Sequence, residues 1–353
     1  MAWQGIEGHD AIAERFVAAQ TRGRITGSYL FIGPAGVGKG TFALTLAKSL
    51  VCQAPQPGLV ACGTCASCVQ ADAGSHPDID VVRKPEDKST IPLDLLIGDD
   101  AHRMREGLCW RMLLRPAVGT RKVAVIMDAD HFSEESANCL LKTLEEPPDT
   151  AAIILVGTAL ERQLPTIRSR CQVIRFAPLA VDVVRRVIEK ESHGAAVPLD
   201  TATADACAKA SGGSLFRARL LLDPDVVAFR ARLLELLSQR PLHGVALSRD
   251  TTAFVEAAGK DAPPRRARLR VALDSALDVF REALRRTAGN AGSATAASDR
   301  AAAAWAVDLD AATAAVEATL ETLDAVDRNA NLTVLVDAWT AVLEEPRLTP
   351  WKR

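Results

Sequence analysis

The 353-residue chain has no strong excess of charge: 42 Lys and Arg stand against 44 Asp and Glu, a formal net charge of −2 at pH 7. A globally basic, nucleic-acid-coating surface is thereby excluded, and any DNA contact must come from a local patch or from partners. Aromatics are scarce at 4 % of residues, and no basic stretch with interleaved aromatics marks a nucleic-acid platform. No apolar run approaches the roughly 20 residues of a membrane span. The start, Met1-Ala-Trp-Gln-Gly-Ile-Glu7, shows no basic segment followed by an apolar one. The expectation is a cytoplasmic chain without signal peptide or membrane contact. Its eight cysteines do not suggest a disulfide framework at this length. With 48 % hydrophobic and 24 % charged residues the composition is that of an ordinary globular protein, and the length implies two or three domains.

What is present is a glycine-rich turn, Phe31-Ile-Gly-Pro-Ala-Gly-Val-Gly-Lys-Gly-Thr41, between an apolar run (Tyr29 to Ile32) and a helical pattern (Phe42 to Leu50). Strand, turn and helix in that order are the context a P-loop requires. Its backbone N–H groups and the helix N-terminus suit a polyphosphate, so Gly33, Gly36, Val37, Gly38, Lys39, Gly40 and Thr41 form the candidate nucleotide loop. Lys39 would bring a point charge to the outer phosphates. The position after it should carry the hydroxyl that ligates Mg²⁺, yet it is Gly40. Thr41 lies about 100° further round the helix and is no obvious substitute. A glycine-rich turn that binds nothing is the bland alternative.

Four cysteines cluster as Cys52 and Cys62-Gly-Thr-Cys65-Ala-Ser-Cys68. Two overlapping C-x-x-C units and a fourth thiol nearby predict a closed, structural Zn²⁺ site with no open position for catalysis. A redox pair or plain reduced thiols are the alternatives. His76 is a substitute ligand on paper, but a surface histidine beside Pro77 explains it more simply. Cys109, Cys139, Cys171 and Cys207 stand alone and read as small buried hydrophobes.

Along the chain, a helix is expected between Ile6 and Gln20, then a polar connection over 22–26. Further strands are expected at His76–Val82, Val123–Met127, Ala151–Val156 and Gln172–Phe176, the continuous apolar ones suited to burial in a parallel sheet. Leu93 to Leu114 is mostly helical in period, weakened at Gly98 and Gly107. The run Asp128-Ala-Asp-His131 closes a strand with carboxylates, where a magnesium-binding and a water-activating acid would sit, or where a helix is capped. Beyond Pro178 only helical patterns remain, with a hinge expected at Asp223-Pro224 and a flexible Ala/Gly/Ser-rich connection at Thr287–Ser298.

The P-loop segment Tyr29 to Lys39, the four cysteines, Leu140-Leu-Lys-Thr-Leu-Glu-Glu-Pro-Pro148 and Ser169-Arg170-Cys171 occur in this order. Together they resemble the bacterial sliding-clamp-loader subunits of the AAA+ class, strongly over about residues 1–220 and only in outline beyond. The resemblance implies an α/β fold. A AAA+ P-loop NTPase domain (a parallel sheet flanked by helices) would occupy 1–176 with the zinc module at 52–68. A small helical lid at 177–223 and an all-α collar domain at 224–353 would follow.

By the same resemblance, the family's magnesium-binding aspartate falls on Met127 and its neighbouring acid on Asp128. The second-sensor arginine falls on Phe216, with Arg217 one place late, and Thr158 lies near the first sensor. Arg170 would act in trans as an arginine finger on ATP held by an adjacent subunit. With Gly40 and Met127 both departing, the match is to delta-prime-type subunits rather than to the gamma or tau motors. ATP or ADP could still sit on Lys39 and the loop amides, Mg²⁺ would lack protein ligands, and turnover by the chain alone would be slow or absent. The implied partners are gamma/tau and delta subunits, with the sliding clamp and primer-template DNA reached through the assembly of the DNA polymerase III holoenzyme. The rivals are an ATP-hydrolysing motor subunit, a nucleoside monophosphate kinase (Gly-Lys-Gly-Thr suits one), and a zinc scaffold without nucleotide.

Overall fold

Five aliphatic runs, too short for helices, become strands: β1 (Gly27–Ile32), β2 (Ile79–Val82), β3 (Lys122–Ile126), β4 (Ala151–Gly157) and β5 (Gln172–Arg175). The computed structural model describes residues 3–344 apart from 24, 26, 87, 104, 193–198, 290–295 and 329. All strand pairs are parallel, in the order β2-β3-β4-β1-β5. Phe31 stands opposite Val156 on one side and Ile174 on the other, so β1 is an interior strand with β4 and β5 as neighbours.

The period-2 pleat sends alternate residues of each strand into different cores. Tyr29, Phe31, Val123, Val125, Ile154, Val156 and Ile174 pack with α1 (Asp10–Thr21) and α2 (Lys39–Val51). Leu30, Ile32, Ala124, Ile126, Ile153 and Leu155 pack on the opposite face, where three helices contribute most of the apolar cover. The short α3 (Ala66–Asp72) lies between β1 and β2 in sequence, and that second face is covered by α4 (Leu93–Ile97), α5 (Gly107–Leu113) and α6 (Glu134–Glu145). The expected helix from 93 to 114 is thus two short helices, interrupted between its two glycines. The unit continues through α7 (Pro165–Arg168), α8 (Val181–Ser192), α9 (Thr201–Ala210) and α10 (Leu215–Leu220).

The chain divides into two units, Met1–Arg219 and Leu220–Arg353. The second contains α11 (Pro224–Leu237), α12 (Gly244–Glu256), α13 (Ala262–Thr287), α14 (Ala296–Trp305), α15 (Leu309–Asp327) and α16 (Leu332–Glu344). They share one apolar core around Leu237, Leu273, Phe280, Trp305 and Trp339. Asp223, expected as a hinge, caps α11 by accepting from the Asp225 N–H at 3.0 Å. Two helices escaped the sequence reading, α12 and α14. Of the expected flexible connection, residues 290–295 lie outside the described ones and Ala296 already opens α14. No helix among the described residues is long and apolar enough to cross a membrane.

His76 corrects an expectation. It is not a surface residue but 4 % exposed, and its Nδ1 accepts from the Asp78 N–H at 3.0 Å. Asp78 is fully buried and accepts from the N–H groups of Ala117 (2.6 Å), Val118 (2.9 Å) and Gly119 (3.4 Å). This carboxylate gathers the turn that leads into β3. Burial disfavours its charge, but the three N–H donors and Lys122 outweigh that and hold its pKa below the ordinary aspartate value. A depressed folded pKa adds stability above the unfolded pKa of about 3.9 and loses it as pH falls through the folded value. Asp78→Ala should therefore cost about 2–3 kcal/mol at neutral pH. The gap to wild type should narrow progressively as pH falls below about 3.9, as chemical denaturation across pH would measure; a constant gap down to pH 2 would refute the role of the charge.

Candidate functional site

β1 delivers the glycine loop to the carboxyl edge of the parallel sheet, where ligands of open α/β sheets bind. Three contacts fix the loop. The buried His9 donates its Nε2–H to Val37 O at 2.7 Å, and its ring lies edge-on to Phe176 at 4.8 Å. Phe176 N–H donates to Ile32 O at 2.7 Å, and Leu215 N–H donates to Gly36 O at 2.9 Å. Only glycine suits position 36: its φ is +77°, and a Cβ there would stand 2.3 Å from Ser214 Oγ and 2.7 Å from Phe216 Cβ. The start of α10 therefore sits directly on the loop, and Phe216 is the residue whose Cβ approaches it. Arg217 enters through its backbone, donating its N–H to Ser214 Oγ at 3.2 Å.

Lys39 opens α2 and is 6 % exposed. Its Nζ donates to Gly33 O and Pro34 O, each at 2.6 Å, so the ammonium is satisfied by its own loop. Burial pushes its pKa down to about 8, and the nearby negative charge of Asp130 pulls part of the way back. Val37 is buried and offers the loop only its backbone, while the Thr41 side chain is exposed on α2.

Strand alternation orients Met127, where the resemblance would place a metal-binding acid. Val123, Val125 and Met127 face the same core as α2, and Met127 is 6 % exposed. A Cβ placed on Gly40 would lie 3.3 Å from Met127 Cε and 3.4 Å from its Sδ. The two departures from the P-loop pattern thus touch: a thioether fills the space that a side chain at position 40 would use. Asp128 is exposed in the left-handed region (φ 58°) and accepts from Lys84 N–H at 3.4 Å. The acid tied into the site is instead Asp130, which accepts from Thr158 N–H at 2.8 Å and from Gln163 Nε2. Its carboxylate and Gln163 also explain Gly157, where a Cβ would stand 2.9 Å and 2.5 Å from them. Sequence reasoning had Asp130 within its carboxylate run but not its role; nothing in the sequence marks His9 or Gln163.

Cys52, Cys62, Cys65 and Cys68 come together with all four sulfurs within 4.8 Å of one another. Cys52 ends α2 and Cys65 caps α3, whose first turn contains Cys68; the Lys48–Asp72 ion pair at 2.6 Å ties the two helices. Sulfur separations are 3.6 Å (Cys52–Cys62), 3.9 Å (Cys52–Cys65) and 3.9 Å (Cys62–Cys68). Tetrahedral thiolates 2.3 Å from an ion would be about 3.8 Å apart, so the set fits one metal ion. The N–H groups of Cys65 and Cys68 donate at 3.4 Å to the sulfurs of Cys62 and Cys65, whose pKa values lie below the ordinary cysteine value, while burial pushes the Cys68 thiol up to about 12. His76 is not among these ligands.

Arg170, the middle residue of the Ser169-Arg-Cys171 motif that follows α7, is held within its own chain. Its Nε donates to Glu145 Oε1 at 2.5 Å, and its Nη1 donates to Thr166 O at 3.0 Å and Ser169 Oγ at 3.1 Å. Arg168 is exposed, and Cys171 is half-buried, its thiol pushed up to about 12 by burial.

The contact between positions 40 and 127 sets a clear expectation. Gly40→Thr alone should cost about 1–2 kcal/mol from crowding against Met127 and should give no Mg²⁺-dependent nucleotide affinity. Gly40→Thr with Met127→Asp should make the affinity for a fluorescent ATP analogue at least tenfold higher with Mg²⁺ than with EDTA. Mg²⁺ dependence in the single variant would overturn this.

Residues 8–180 match the family described as DNA polymerase III, delta subunit. Over 144 residues the chain is 37 % identical to the DNA polymerase III subunit delta' of Pseudomonas aeruginosa, 41 % of each protein. It is 33 % identical over 165 residues to the delta' of Escherichia coli, 47 % of this chain and 46 % of that one. Against the gamma/tau subunit of Mycobacterium tuberculosis the identity is 32 % over 212 residues, 59 % of this chain and 34 % of that protein. These matches span less than half of each relative's length. A solved DNA polymerase III gamma subunit-related protein of Thermotoga maritima superposes with a TM-score of 0.40 at 18 % identity, covering 96 % of this chain and 99 % of that one. The likeness to the family described as DNA polymerase III, delta subunit, thus rests on residues 8–180, just under half of the chain.

Proposed function

We propose that this chain is a delta-prime-type subunit of a bacterial clamp loader, working in the cytoplasm with gamma/tau and delta subunits to place the sliding clamp on primed DNA. The observation that carries the reading is the packing of Met127 against Gly40. Mg²⁺ at a P-loop neutralises charge developing on the β- and γ-phosphates, and this chain offers a thioether where that ion would need oxygen. ATP or ADP can still meet Lys39 and the loop amides, but hydrolysis by this chain alone is not expected. The lid would comprise 177–223, with the start of α10 on the loop, and the collar 224–353.

The chain's contribution to turnover would be Arg170. When a neighbour's ATP approaches, the guanidinium exchanges Glu145 for the γ-phosphate oxygens, where a fixed positive charge stabilises the transition state. The four thiols would hold one structural Zn²⁺ that pins the segment after α2, with no chemistry of its own. The second reading is an ATP-hydrolysing motor, favoured by the preserved Lys39 and by the longer reach of the gamma/tau match.

DNA- and clamp-stimulated ATP hydrolysis by a reconstituted loader separates the two. Arg170→Ala should lower turnover severalfold while Lys39→Ala stays within twofold of wild type. A large loss with Lys39→Ala and none with Arg170→Ala would identify a motor. The metal is tested independently: chain purified under reducing conditions should carry one Zn²⁺ by elemental analysis. Cys65→Ala should lose it together with several degrees of melting temperature. Metal-free wild type with unchanged stability would remove zinc from the account.

A further inference from the structure

The second unit contains a cavity of about 270 Å³ between the end of α12, the start of α13 and the start of α16. Lys260, Arg265 and Arg266 line it, joined by Asn331 and Thr333, and among the described residues the single carboxylate is Glu256. Glu256 is taken by Arg265, whose Nη2 lies 3.3 Å from its Oε1. Lys260 and Arg266 make no ion pair among the described residues. The Nε atoms of Arg265 and Arg266 are both buried without a hydrogen-bond acceptor. Those two nitrogens are shut off from solvent, so the donors left for an anion in the cavity are the Nη groups of the half-buried arginines and the exposed Lys260 ammonium. α13 adds to the positive character, because it is 26 residues long and starts here with no side-chain cap on its first turn.

We propose that this cavity binds phosphate groups of DNA. Three cations with one already-paired acid select an anion. Arginine forks and small hydroxyl and amide groups are the usual ligands of phosphate oxygens. Among the described residues no aromatic side chain lines the cavity, so it offers no stacking surface for a base, and the contact reads the sugar-phosphate backbone irrespective of sequence. The anion site follows from the side chains alone. The choice of DNA as the phosphate source rests on the loader reading above.

The test uses the full chain and a fluorescein-labelled dT20 oligonucleotide, with anisotropy read between 50 and 200 mM NaCl. Lys260→Gln with Arg266→Gln should weaken binding at least fivefold. It should also flatten the slope of log K against log salt by about 1.4, two single-strand phosphate contacts at about 0.7 each. The charge-matched control, Arg281→Gln with Arg300→Gln, alters two exposed residues away from the cavity and should stay within twofold. In parallel, inorganic phosphate should raise the melting temperature of wild type over chloride at equal ionic strength, and not that of the cavity variant. Equal losses in both variant pairs overturn the site. Phosphate protection without any oligonucleotide effect overturns DNA as the source. Neither result bears on the Arg170 experiment, which tests the loader reading by itself.

Discussion

Burial of β1 on both faces is the constraint from which the first unit follows. Because Tyr29 and Phe31 point into one core and Leu30 and Ile32 into the other, the strand needs helices above and below and neighbours on both edges. Only parallel strands with helical crossovers supply that, and such an arrangement delivers every strand's carboxyl end to one rim. The glycine loop after β1, the carboxylates after β3 and Thr158 after β4 meet there for this reason. They belong together by topology before any of them has chemistry.

At that rim, electrostatics and packing pull in different directions. Lys39 is buried and turned onto two carbonyls of its own loop, with Asp130 as the nearby negative charge. One turn away, the strand's apolar alternation runs on through Met127 into the space vacated at Gly40. Sulfur and methyl are poor company for a hard divalent cation, which takes oxygen ligands. On the proposed reading the loop keeps what would bind an anion and lacks what would seat the metal, as a supporting subunit rather than a motor would.

The thiol cluster and Arg170 lie at two other positions of the same unit, and each depends on short-range geometry. Overlapping C-x-x-C turns can bring three sulfurs together locally, while Cys52 joins them because α2 ends beside α3. Arg170 is fixed by a carboxylate from the Leu-Lys-Thr-Leu-Glu145 segment on α6. Two stretches that stood out separately in the sequence are therefore one ion pair in the fold.

The five strands, the P-loop, the cysteine set and the main helices were legible in the sequence, because each rests on local pattern: apolar runs, glycine spacing, thiol spacing. The break of 93–114 into two helices was only hinted at by its glycines, and α12 and α14 went unread. His76 went wrong in the sequence reading because a histidine beside a proline looks solvent-facing; its burial with Asp78 depends on backbone donors of 117–119, which are some 40 residues away. Asp130 is the carboxylate hydrogen-bonded to Thr158 and Gln163, while the chain turns left-handed at Asp128 and exposes it, a backbone feature that the spacing of the two acids does not reveal. The sequence by itself determined that Gly40 and Met127 each depart from an ATPase pattern. Only the tertiary structure decided that they occupy the same space, because strand alternation and the helix after the loop meet there at van der Waals distance.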